Sequence, residues 1–122
     1  MNLFLLLPLL LMLSSDRCAT VSVRPTPTVV TAGSTIGFQV VVTNCGDKPV
    51  MIKTYAELET ACGGEVDLPK NYWRLQPGQA FQPNMTYPIP SDACPGIYHV
   101  LVEASVGNTV IGSGDATFEV VE

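Results

Sequence analysis

The chain has 122 residues, with 11 acidic and 6 basic side chains and a formal net charge of −5. Its basic residues (Arg17, Arg24, Lys48, Lys53, Lys70, Arg74) are scattered along the sequence. Nucleic acid or an anionic membrane surface requires clustered positive charge, so neither is expected as a partner.

Leu3 to Leu13 is an unbroken apolar run. At about eleven residues it is too short to span a bilayer, and it suits the core of a secretory signal peptide. A cut after Ser15 fits best, giving a signal peptide over 1–15 and a single domain over 16–122. A cut after Ala19 would remove Cys18 and leave an odd thiol. A lipid-modified Cys18 would want small neutral residues before it, where the chain has Ser15-Asp16-Arg17. The tail from Phe118 is too short and too acidic for a lipid-anchor signal. No integral membrane segment is predicted, and the expected location is secreted or extracellular, periplasmic if the source is bacterial. Export makes the four cysteines, Cys18, Cys45, Cys62 and Cys94, disulfide partners.

What remains, about 105 residues, is enough for one domain and too little for two. Turn residues recur between runs rich in Val, Thr, Ile and Tyr, which predicts an all-β fold: an immunoglobulin-like β-sandwich of about seven strands with two disulfides. Ala19–Val23 and Thr28–Thr31 read as one strand broken by Pro25 and Pro27, tolerable only at a sheet edge. Thr35–Asn44 alternates cleanly, with Ile36, Phe38, Val40 and Val42 on one face. Gly46-Asp47 then turns the chain. Val50–Leu58 alternates again, with Val50, Ile52, Ala56 and Leu58 opposing Lys53 and Glu57. Thr60–Lys70 reads as a loop around Gly63-Gly64, with a short strand at most over Glu65–Leu68. Trp73 and Leu75 precede a Pro77-Gly78 turn. In the next strand Phe81, Met85 and Tyr87 share a face, and Pro83 marks an edge. Ile97–Val106 is the strongest strand, with Tyr98, Val100, Val102 and Ala104 inward. Gly107-Asn108 leads into a last strand interrupted at Gly112–Gly114 and closing with Phe118 and Val120.

If the strands follow the immunoglobulin order, the first begins at the end of the sandwich where the second finishes. Cys18 and Cys45 then lie together at that end. Cys62 follows the third strand and Cys94 precedes the sixth, which places both at the opposite end. Of three possible pairings, this order favours Cys18–Cys45 and Cys62–Cys94.

Three segments in order, Val40–Val50 (VVVTNCGDKPV), the Leu75–Gln79 turn (LQPGQ) and Cys94–Val100 (CPGIYHV), carry a resemblance. The chain resembles the bacterial immunoglobulin-like modules that read TNxGxxP … LxPGQ … PGxYxV. These include the bacterial cell-adhesion-related domain and the intracellular proteinase inhibitor family. The resemblance covers most of the mature chain and implies the fold. Its motif residues shape turns and contain no functional site. The cysteines and the signal peptide depart from the pattern.

No constellation points to catalysis. His99 is the single histidine and faces outward beside Leu101 and Glu103, too few ligands for copper or zinc once the cysteines are paired. Ser113 has no nucleophile elbow around it and lies on a different strand from His99. Loops this short rarely form the cleft that paired carboxylates need. Glu57, Glu59, Glu65 and Asp67 surround the Cys62 loop, without the ligand spacing of a calcium motif. No catalytic, metal or cofactor site is therefore expected. Tyr72-Trp73 beside Arg74 is the candidate binding site. Strand alternation turns one of the two aromatics outward as an anchor for protein or glycan, while the simpler arrangement packs Trp73 into the core. Asn84-Met85-Thr86 is a glycosylation acceptor on an outward strand face, relevant only in a eukaryotic source. The function expected is a binding or adhesion module engaging a protein or cell-surface component. The alternative is a secreted peptidase inhibitor acting through the loops at one end.

Overall fold

Strict alternation makes Thr35–Asn44 the central strand of one sheet. Ile36, Phe38, Val40, Val42 and Asn44 are buried, and the residues between them face outward. A computed structural model describes residues 17–122; the signal-peptide assignment and its cleavage site lie outside the described residues. Among the described residues, nine strands form two sheets. They are β1 (Ala19–Thr26), β2 (Val29–Thr31), β3 (Thr35–Asn44), β4 (Val50–Glu59), β5 (Glu65–Leu75), β6 (Ala80–Phe81), β7 (Asn84–Pro88), β8 (Gly96–Val106) and β9 (Thr109–Val121). In one sheet β3 pairs with β1 on one side and with β6 and β7 on the other. The second sheet runs β2-β9-β8-β4-β5.

The prolines shape the edges. Between Pro25 and Val29 the chain crosses from one sheet to the other, so the expected broken first strand is two strands at two edges: β1 antiparallel to β3, and β2 parallel to β9. Pro83 splits the strand expected around Phe81, Met85 and Tyr87 into β6 and β7, both at an edge, since proline cannot donate to a ladder. Gly112–Gly114 does not interrupt β9, which runs continuously through it. Both glycines face the interior, because they pair with the buried Ala104 and Val102. A side chain on Gly112 would collide with the Ala19 carbonyl oxygen, and one on Gly114 with that of Val21. The glycines thus let β1 close onto β9 and seal that long side of the sandwich.

Between the sheets, Phe38 and Tyr98 pack against Phe118 at centroid distances of 5.7 and 5.3 Å, among Val100, Val102, Leu58 and Ile52. Each such side chain stabilises the fold by roughly 1.5–3 kcal/mol through its removal from water. The Tyr98 hydroxyl donates to the Cys94 carbonyl at 2.9 Å, which pins the start of β8.

The cysteines pair as strand order predicts. Cys18–Cys45 joins the entry to β1 with the exit from β3, Cα atoms 4.9 Å apart. Cys62–Cys94 joins the β4–β5 turn to the approach to β8, Cα atoms 6.1 Å apart, at the opposite end.

Candidate functional site

The segment expected to be a loop is where the structure departs most from the sequence reading. Glu65–Leu75 is one strand of 11 residues, hydrogen-bonded to β4 along its length, and it forms the free edge of the five-stranded sheet. Midway, Pro69 and Lys70 together oppose Tyr55: Thr54 pairs with Asn71, and Ala56 with Leu68. Such a bulge inserts one residue and reverses the side-chain parity beyond it. Val66 and Leu68 therefore face inward before it, and Asn71, Trp73 and Leu75 after it.

This parity decides the fate of the aromatic pair. Trp73 pairs with the buried Ile52 and takes the inner face, while Tyr72 pairs with Lys53 on the outer face. Neither is buried. Tyr72 is 62% exposed and Trp73 is 52% exposed. The core position that simple alternation offers Trp73 is absent because the facing sheet ends there in β6, only two residues long. A single ring from that sheet, Phe81, lies against the indole, with centroids 5.5 Å apart and planes 9° from parallel. Arg74 pairs with the exposed Met51 on the outer face. Tyr72, Trp73 and Arg74 thus stand together on the open side of the sandwich, opposite the side sealed by β1 and β9.

The outer face of the β4–β5 hairpin is acidic toward its tip. Glu59 pairs directly with Glu65, and Glu57 with Asp67, so these carboxylates form two rungs of the ladder at the base of the Cys62 turn. Like charges directly opposite each other repel. Among the described residues no group of three or more His, Cys, Asp or Glu side chains is disposed to hold a metal ion. Sequence reading passed over Tyr55, whose hydroxyl donates its one proton to Asp67 at 2.7 Å, with a Glu57 carboxylate oxygen 3.3 Å away. Lys70 places its Nζ 5.6 Å from the centre of the same ring. The Asp67 hydrogen bond, then lost hydration and the two negative charges, push the Tyr55 phenol up from 10.0 to about 12. The folded state holds this proton more tightly than the unfolded chain. Its contribution to stability is therefore complete below pH 10 and is lost as pH rises from 10 to about 12. Phenolate absorbance should show one tyrosine titrating near 12, and Asp67→Asn should return it toward 10.0.

His99 lies outward on β8, its Nε2 2.9 Å from Asp115. Ser113 pairs with Glu103 and His99 with Thr117, so the serine and histidine lie on separate rungs of the ladder. Asn84 and Thr86 are exposed on β7, which places the acceptor sequence on the outward face of the four-stranded sheet.

No protein-family model matches the chain, and no curated protein matches it in sequence. Solved structures do share its fold. A CARDB domain from Pyrococcus furiosus, solved in complex with di-metal ions, matches with a TM-score of 0.70 at 19% identity. The match covers 88% of this chain and 96% of that one. The chain is an immunoglobulin-like sandwich that shares the fold of that domain. The sporulation control protein Spo0M from Bacillus subtilis matches with a TM-score of 0.63 at 15% identity, over 86% of this chain and 50% of that one. The β-glucosidase 3B from Thermotoga neapolitana, in complex with α-D-glucose, matches with a TM-score of 0.64 at 17% identity. That likeness covers 87% of this chain and only 16% of the enzyme. Identities this low speak for the fold alone. None of these likenesses is to a peptidase inhibitor, and that alternative gains no support from them. The two disulfides point to an oxidising compartment. Among the described residues no helix is long and apolar enough to cross a membrane.

Proposed function

We propose that this chain is a secreted, non-catalytic module of adhesion type that engages a protein or cell-surface component through the β5 edge. The reading rests on one observation: Tyr72 and Trp73 stand more than half exposed beside Arg74 on an edge strand. Trp, Tyr and Arg are the side chains that dominate binding interfaces, because they offer large rigid area with a polar handle. Phe81 holds the indole from behind, so little conformational freedom is lost when a partner covers its other face. The CARDB fold supports an adhesion-type role, and the apolar run at Leu3–Leu13 together with the disulfides supports export. The test is binding of the fluorescently labelled chain to intact cells of its source organism. Trp73→Ala and Tyr72→Ala should each weaken binding at least about tenfold, as anchor residues do. Thr86→Ala, on the opposite sheet, should leave it unchanged. Equal binding by all variants would refute the edge as the binding surface.

A further inference from the structure

The four sheet edges are not equivalent. β1 is pressed against β9 through the two glycines. β2 has three residues, and the β6–β7 edge is broken at Pro83. β5 alone offers a long edge on the open side. Its middle is blunted by the Pro69–Lys70 bulge, a common protection against strand addition. The flanks on either side, Glu65–Leu68 and Asn71–Leu75, are not.

The charges on those flanks are self-complementary. Acidic residues lie before the bulge (Glu65, Asp67) and Arg74 after it. Neither Glu65 nor Arg74 has an ionic or hydrogen-bonding side-chain partner among the described residues. Glu65 instead faces Glu59 across the hairpin. We infer that β5 pairs antiparallel with β5 of a second copy of the chain, bulge against bulge on the two-fold axis, with Glu65 of each copy opposite Arg74 of the other. The inference rests on the reading of β5 as the binding edge and names its partner.

The register follows from geometry. With each bulge counted as one position on the axis, Leu68 meets Asn71, Asp67 meets Tyr72, Val66 meets Trp73 and Glu65 meets Arg74 of the other copy. The bulge keeps every pair on one face: Glu65, Asp67, Tyr72 and Arg74 are all outward, and Val66, Leu68, Asn71 and Trp73 all inward. A register shifted by one position would set outward residues against inward ones. Parallel pairing would place Glu65 beside Glu65 and Arg74 beside Arg74. Antiparallel pairing thus satisfies two otherwise lone arginines, relieves the Glu59–Glu65 repulsion and covers Tyr72 and Trp73. Two five-stranded sheets become one of ten. Such isologous contacts close as dimers and do not propagate.

One strand pair buries an area at the low end of specific interfaces, so the association should be weak, with a dissociation constant of about 1–100 μM. Sedimentation equilibrium of the oxidised full chain should show a monomer–dimer equilibrium in that range, weakened by high salt. Arg74→Glu and Glu65→Arg should each weaken it at least about tenfold, because they set like charges opposite each other twice per dimer. The double swap Glu65→Arg/Arg74→Glu should restore it to within about threefold. Restoration cannot come from a folding defect. A chain monomeric to about 1 mM, or a dimer indifferent to the swaps, would overturn the inference. If the monomeric chain still lost cell binding on Trp73→Ala, the edge would serve a different partner and the reading of β5 as a binding surface would stand.

Discussion

Replacing Asn44 by alanine is expected to cost about 3–5 kcal/mol of stability, among the largest effects of any single non-cysteine substitution in this chain. Asn44 is fully buried and works as a junction. Its Nδ2 donates to the Lys48 carbonyl at 2.9 Å and the Leu75 carbonyl at 3.1 Å, and its Oδ1 accepts from the Gly46 amide at 2.9 Å. Its backbone exchanges hydrogen bonds with the turn after β5: Asn44 N–H donates to Gln79, and Gly78 N–H donates to Asn44. One side chain thus ties the exit of β3, the Gly46 turn and the end of β5. Alanine leaves the amide of the buried Gly46 without its acceptor and takes a buried donor from the Leu75 carbonyl, and each buried group orphaned in this way costs about 1–3 kcal/mol. For a domain of this size the loss should lower Tm by roughly 15–30 °C. A calorimetric shift of under about 5 °C would contradict the role assigned to Asn44.

Removing either disulfide as a Cys→Ala pair should cost roughly 3–4 kcal/mol. The loops span sequence separations of 27 and 32 residues, and their closure entropy in the unfolded chain sets that magnitude. Because a small domain has only about 5–15 kcal/mol in total, losing both should leave the chain largely unfolded at 37 °C. The two losses should differ in place. Cys18–Cys45 lies beside Asn44 at the junction end, where the Cys45 amide also donates to the Cys18 carbonyl at 2.9 Å. Cys62–Cys94 fastens the tip of the β4–β5 hairpin to β8. Without it, amide exchange should quicken first over Glu65–Leu68, the half of β5 nearest the tip, while β1 and β3 keep their protection. Urea denaturation and residue-resolved hydrogen exchange on the two double variants would check both expectations. Uniform loss of protection in each variant would show that the staples act only globally.

The central sheets were legible because their strands are long and alternate strictly. Ile36, Phe38, Val40 and Val42 on β3, and Tyr98, Val100, Val102 and Ala104 on β8, are buried as the pattern predicts. The cysteine pairing was legible for a different reason: strand order alone determines which ends meet. β5 was hidden by its bulge. Counting by twos from Val66 and Leu68 leads to Lys70, Tyr72 and Arg74, whereas the inward residues beyond Pro69 are Asn71, Trp73 and Leu75. With Gly63-Gly64 before it and a proline within it, the segment loses its period and looks like a loop. The same slip hid the Tyr55–Asp67 hydrogen bond, which exists only across that hairpin. The burial of Trp73 stayed open in the sequence because it depends on the reach of the opposite sheet, a property of Ala80–Pro83 and not of the tryptophan's own neighbours. Gly112 and Gly114 look like breaks in a strand until β1 is seen lying against them. The TNxGxxP and PGxYxV residues were correctly assigned to turns, and Asn44 and Tyr98 hold those turns by side-chain hydrogen bonds.

The central claim is that the chain binds its partner through the open β5 side and not through the face of the four-stranded sheet. Site-specific photo-crosslinking tests this most directly. A benzophenone side chain is introduced at position 72 on β5, or at position 86 on β7, and the labelled chain is irradiated on intact source cells. Covalent adducts from position 72, absent or weak from position 86, are the predicted result. Adducts formed from position 86 and not from position 72 would contradict it.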